Sequence, residues 1–95
     1  MLVMIDDVQF RTDETFFVFM GQSLGLGADG IKNEDELYDA VSEFKEPLEI
    51  IVHDYDDITE DRRKFAKKMI SVIMDCRMVN KKLKIEFQHG EENLV

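Results

Sequence analysis

Three carboxylates at helical spacing are the residues in this sequence best placed to do chemistry. Asp35, Asp39 and Glu43 follow one another at i, i+4 steps, with Glu36 beside them. At 100° per residue they share one side of a helix, while Leu37, Ala40, Val41 and Phe44 form an apolar stripe on the other. Tyr38 sits at the border. The segment from Glu34 to Phe44 holds no Lys or Arg. Like charges at this spacing weaken a helix by about 0.2–0.5 kcal/mol per pair. Asp35 recovers some of that from the positive end of the helix dipole, but Asp39 and Glu43 lie too far along. Such a face is either an incidental solvated surface or one shaped for a basic ligand. A carboxylate on a rigid helix imitates phosphate, because Arg grips both with the same bidentate fork.

The other chemistry-bearing groups read differently. Gly25-Leu26-Gly27-Ala28-Asp29-Gly30 satisfies the pattern G-x-G-x-x-G. A dinucleotide site needs a strand directly before the pattern and a helix opening at its end. Here Gly21-Gln22-Ser23 precede it and the helix starts only after Asn33, so the glycines read as a tight, mobile loop. Asp54, Asp56, Asp57, Glu60 and Asp61 lack EF-hand spacing and its glycine, and read as turn and cap residues. His53 and His89 have no Cys or second His at metal spacing, and no Ser or Cys is placed as a nucleophile. Neither an enzyme nor a metal or cofactor site is expected. Cys76 falls on an apolar stripe with Phe65, Met69, Val72 and Ile73 and reads as a buried small hydrophobe. Arg62, Arg63, Lys64, Lys67 and Lys68 read as a solvated face that balances nearby acids.

The elements that must position these groups follow from cap and period signals. Leu2–Ile5 is a short apolar run ended by Asp6-Asp7, a strand. Phe16 to Met20 suits a strand by composition, yet Thr12 as a cap and Gly25 as a stop favour a helix. Asn33 caps the clearest helix, Glu34 to about Phe44, and Pro47 forbids continuation. Leu48–Val52 is a buried strand, and Thr59-Glu60-Asp61 open a long helix that runs to about Met78, where Asn80 and Lys81 break it. Leu83, Ile85 and Phe87 alternate with Lys84 and Glu86 in a last strand. Helical crossovers between strands predict an α/β fold: a three-stranded parallel sheet packed with three or four helices.

Length and charge bound the rest. Ninety-five residues make one domain; residues 1–88 are assigned to it and 89–95 to a frayed tail. Twenty-one acidic against twelve basic side chains leave a net charge of −9. Phosphate backbones and anionic lipid surfaces repel such a chain, so neither nucleic acid nor membrane is an expected partner. A basic protein is. One cysteine, no apolar run of membrane-spanning length and no signal-like start give a cytoplasmic expectation.

The segment Gly30-Ile31-Lys32-Asn33-Glu34-Asp35-Glu36-Leu37-Tyr38-Asp39-Ala40-Val41 resembles the signature of the barstar family of ribonuclease inhibitors. There a glycine and an asparagine precede Asp-Ala-Leu-Trp-Asp-Ala-Leu. Asn33, Asp35, Leu37, Asp39 and Ala40 match in identity and spacing; Tyr38 stands at the usual Trp, and Gly30 falls one residue early. The similarity extends upstream through Gln9, Arg11, Leu24 and Leu26, and the order of elements agrees to Phe87. The resemblance implies an inhibitor whose helix and preceding loop enter the active site of a basic ribonuclease, carboxylates standing where substrate phosphates bind. It makes Asp39 the central acid and Asp35 its neighbour, and places Asp75 at a Glu that adds a further ion pair. Asp29, Gly30, Asn33, Asp35, Tyr38, Asp39, Glu43 and Asp75 are thus the expected partner-binding residues. The family's binding loop ends in Tyr-Tyr-Gly; this chain has Gly27-Ala28-Asp29-Gly30. A barstar-fold module with a different basic partner is therefore the alternative expectation.

Overall fold

Strand β1 (Leu2–Ile5), helix α1 (Asp13–Ser23), helix α2 (Glu34–Ser42), strand β2 (Leu48–His53), helix α3 (Glu60–Cys76) and strand β3 (Leu83–Gln88) follow in chain order in the computed structural model, which describes residues 1–88. Short 3-10 turns at Asp7–Phe10 and Tyr55–Asp57 join them. The three strands are parallel in the order β1-β2-β3. The predicted α/β architecture is therefore present, with three α-helices. The expected tail, 89–95, lies outside the described residues.

Register fixes which side chains the sheet buries. Val3 pairs with Ile50, which pairs in turn with Ile85, and Ile5 pairs with Val52, which pairs with Phe87; Leu48 pairs with Leu83. Val3, Ile5, Leu48, Ile50, Val52 and Leu83 are buried on that face. Leu2, Met4, Glu49, Lys84 and Glu86 alternate with them and are exposed. Only Ile51, held between Met4 and Glu86, is buried on the second face. Parallel sheets are usually covered on both faces; among the described residues this one is covered on one.

The core against that face comes from all three helices: Phe16 and Met20 of α1, Leu37 and Val41 of α2, and Ala66, Met69, Ile70, Ile73 and Cys76 of α3. Burying a side chain such as Leu37 or Val41 contributes about 1.5–3 kcal/mol. The ambiguous run in α1 is helical because both its ends and its sides are used. The Thr12 hydroxyl accepts from the Thr15 amide at 3.0 Å and caps the helix. Phe16 stacks on Phe10 with ring centroids 5.1 Å apart, while Phe17 meets Phe65 edge-on. A run apolar on several sides finds partners on several sides.

Two boundaries are shorter than the sequence predicts. Helix α2 ends at Ser42, so Glu43 is its C-cap rather than an interior residue. Helix α3 ends at Cys76, short of Met78. Thr59 occupies the N-cap position of α3, but its hydroxyl makes no capping bond.

Candidate functional site: an acidic surface across two helices

Asn33 starts the site. Its Oδ1 accepts from the Glu36 amide at 2.9 Å, and Glu36 Oε1 in turn accepts from the Lys32 amide at 2.7 Å. Two donors left over at the helix start are thus satisfied. Asn33 and Glu36 are structural in this arrangement, and they fix the entry angle of α2.

Helix α3 then holds α2 along its length. Lys68 Nζ lies 3.1 Å from Glu34 Oε2, Cys76 Sγ donates to the Tyr38 carbonyl at 3.6 Å, and Asn80 Nδ2 donates to the Val41 carbonyl at 2.9 Å. These contacts advance in the same sense on both helices, so α2 and α3 run parallel where they touch. Asp75, next to Cys76, and Asp39, next to Tyr38, therefore flank the same contact between the two helices. Both carboxylates act on the Cys76 thiol between them: burial first, then Asp75, then Asp39 push it up to about 11. Cys76 itself is fully buried and also donates to the Val72 carbonyl at 3.3 Å. The expected buried cysteine is present, and its sulfur lies at the contact between the two helices.

Asp35, Asp39 and Asp75 are exposed, as is Glu43, and Tyr38 lies at the edge of exposure. Among the described residues none of these four acids forms an ion pair. The other acids of the first turn of α2 are engaged, Glu34 by Lys68 and Glu36 by the Lys32 amide. Most of the basic run on α3 is likewise engaged elsewhere. Arg62 pairs with Asp13 at 2.6 Å, donates to the Phe10 carbonyl at 2.8 Å and lies over the Phe65 ring. Arg63 donates to the carbonyls of Asp56 and Ile58.

Beside Asp39 a cleft of about 540 Å³ opens between α2 and the glycine loop. Leu24, Leu26, Ala40 and Phe44 give it apolar walls, and Glu36, Asp39, Glu43 and Glu46 face one ammonium, Lys45. Gly30 belongs to this cleft, and a Cβ there would lie 2.4 Å from Leu26 Cβ and 2.6 Å from its carbonyl oxygen. The loop is tied in place: the Leu26 amide donates to the Gly21 carbonyl at 2.8 Å and the Gly30 amide to the Gly27 carbonyl at 3.1 Å. Gly25 and Gly27 take positive φ, 78° and 83°. These bonds give the glycine loop the tight turns expected of it.

Of the eight expected residues, the structure brings Gly30, Tyr38, Asp39, Glu43 and Asp75 around the α2–α3 surface, with Asp35 one turn before Asp39. Asn33 supports them from the cap. Asp29 is apart from them, lining a separate cleft on the α1 flank with Asp13, Glu14 and Lys32. The sequence reading missed Asn80. It treats this residue as a helix breaker, whereas its buried side chain donates to the Val41 and Phe44 carbonyls and accepts from the Lys82 amide. It thereby closes α2 and starts β3. A lone Asn just past the end of a long amphipathic helix was the available signal.

Among the described residues no helix is long and apolar enough to cross a membrane. No protein-family profile matches this chain, and no curated protein matches it either.

Proposed function

We propose that this protein is a barstar-like inhibitor that binds the active site of a basic ribonuclease, with the carboxylates of α2 and α3 imitating substrate phosphates. The observation that carries this reading is that Asp39 and Asp75 flank the Cys76–Tyr38 contact between α2 and α3. Two rigid helices hold these acids, together with Asp35, exposed and without basic partners among the described residues. An enzyme that cleaves RNA presents Arg, Lys and His around its phosphate sites, and Arg binds a carboxylate through two parallel charge-assisted bonds. Such pairs form without reordering the inhibitor, because capping and helix packing have already fixed α2. The role is binding rather than catalysis.

Mixing the protein with a barnase-type ribonuclease and following RNA cleavage tests this. Inhibition at micromolar concentration and low salt is expected, with Asp39→Ala weakening it far more than Glu92→Ala in the tail. Absence of inhibition under those conditions overturns the reading.

One observation favours a second reading, in which the same surface meets a basic protein that is not a ribonuclease. The loop Gly27–Gly30 offers no aromatic ring, and Asp29 faces the α1 flank. Affinity capture of a different basic protein, lost on adding salt and with Asp39→Ala, supports this reading; capture insensitive to both counts against it.

A further inference from the structure

The strand register carries a second cluster at the opposite functional address of the fold. Because Ile5 pairs with Val52, the next residues, Asp6 and His53, leave the sheet side by side at the carboxyl ends of β1 and β2. Ligands of open α/β sheets gather at that edge. His53 Nδ1 lies 3.1 Å from Asp6 Oδ1 and 2.9 Å from Asp54 Oδ2, and the three donor atoms all fall within 4.8 Å of one another. All three residues are half-buried.

An imidazole nitrogen carries one hydrogen at most. A single proton at Nδ1 must therefore be shared between two carboxylate oxygens, whether the ring is neutral or charged. A divalent cation can bond to all three atoms directly, and its charge matches two carboxylates and a neutral ring. The spacing fits. Bonds of about 2.1 Å from a metal to nitrogen and oxygen put neighbouring donors of an octahedral site about 3.0 Å apart. Both nitrogen-to-oxygen distances fall within about 0.1 Å of that edge, a length that a hydrogen bond also spans.

We infer that Asp6, His53 and Asp54 form a divalent-metal site with one nitrogen and two oxygen ligands, suited to zinc or a neighbouring first-row ion. The imidazole selects such ions over magnesium and calcium, which prefer oxygen throughout. Water completes the coordination of a site this open. The metal would pin the end of β1 to the end of β2, away from the acidic surface on α2.

The test is calorimetric titration of the full, untagged chain with ZnCl₂ alone, repeated with MgCl₂. One zinc per chain is expected, with no matching heat from magnesium. His53→Gln and Asp6→Asn should each lower zinc affinity at least tenfold, while His89→Gln leaves it unchanged. Zinc should also raise the unfolding temperature of the wild type and not that of His53→Gln. Circular dichroism establishes that the variants are folded, and Asp54→Asn serves as the second ligand variant if Asp6→Asn is not. Zinc binding that survives His53→Gln overturns the inference. So do equal binding of magnesium and the absence of any saturable site at submillimolar zinc.

Discussion

At the scale of single residues, Cys76 reports on the acids around it. Burial and the Asp75 and Asp39 carboxylates hold its thiol at about 11 against an ordinary value of 9.0. The unfolded chain releases this proton first. Between pH 9 and pH 11 the folded state therefore carries the extra proton, and stability falls as pH rises through that window; below it this group contributes no pH dependence. The limiting slope is about 1.4 kcal/mol per pH unit. Urea denaturation at a series of pH values should show the wild type losing stability more steeply than Cys76→Ala above pH 9. Parallel curves would refute the account. The burial of Cys76 was legible in the sequence, because Phe65, Met69, Val72 and Ile73 mark the stripe it belongs to. Its neighbourhood was not. Asp39 and Asp75 are separated by 35 residues, and only the packing of α2 on α3 lets both act on one thiol.

Among elements, the local signals were strongest where a cap and a stop both exist. Asn33 and Pro47 bracket α2, and Thr12 decides α1 against the β-like run Phe16 to Met20. Helix ends were less legible because a distant residue sets them. Asn80, 7% exposed, donates to the Val41 and Phe44 carbonyls and accepts from the Lys82 amide, while its own amide donates to the Cys76 carbonyl at 2.7 Å. One side chain thus ends α2 and leads α3 into β3. Replacing it with Ala strands two carbonyls and an amide in a largely dry setting, where each unsatisfied group costs roughly 1–3 kcal/mol. Water reaches the outer members of this set, so Asn80→Ala should destabilise the fold by about 2–4 kcal/mol. Chemical denaturation measures this directly, and a loss below about 1 kcal/mol would mean that solvent replaces the side chain. The pairing of Asp6 with His53 was hidden for a similar reason. Each residue ends an apolar strand, a visible feature, but their contact follows from the register of β1 on β2.

For the whole molecule, the charge imbalance of −9 is visible from composition, while its local organisation is a property of the fold. The basic run at the start of α3 turns toward Asp13, Glu34 and backbone carbonyls. Asp35 and Asp39 of α2, Glu43 at its C-cap and Asp75 near the end of α3 are among the acids that no cation of the described residues pairs. A surface of this kind works against the stability of the chain that bears it, since like charges repel most when no partner is bound. Asp39 has such a neighbour on each side along the helix, Asp35 before it and Glu43 after it, and Asn has nearly the same helix propensity as Asp. Asp39→Asn should therefore stabilise the free protein at low ionic strength by about 0.4–1 kcal/mol, the sum of two i, i+4 repulsions. The gain should fade in strong salt, where the screening length drops to about 3 Å at 1 M. The same substitution should weaken binding to a basic partner. Paired urea titrations in dilute and concentrated NaCl, set beside the binding measurement, separate the possibilities. A variant more stable yet weaker in binding marks α2 as a surface maintained for a cationic ligand. A variant that is less stable at low salt would show instead that Asp39 serves the fold, and would remove the electrostatic case for the site.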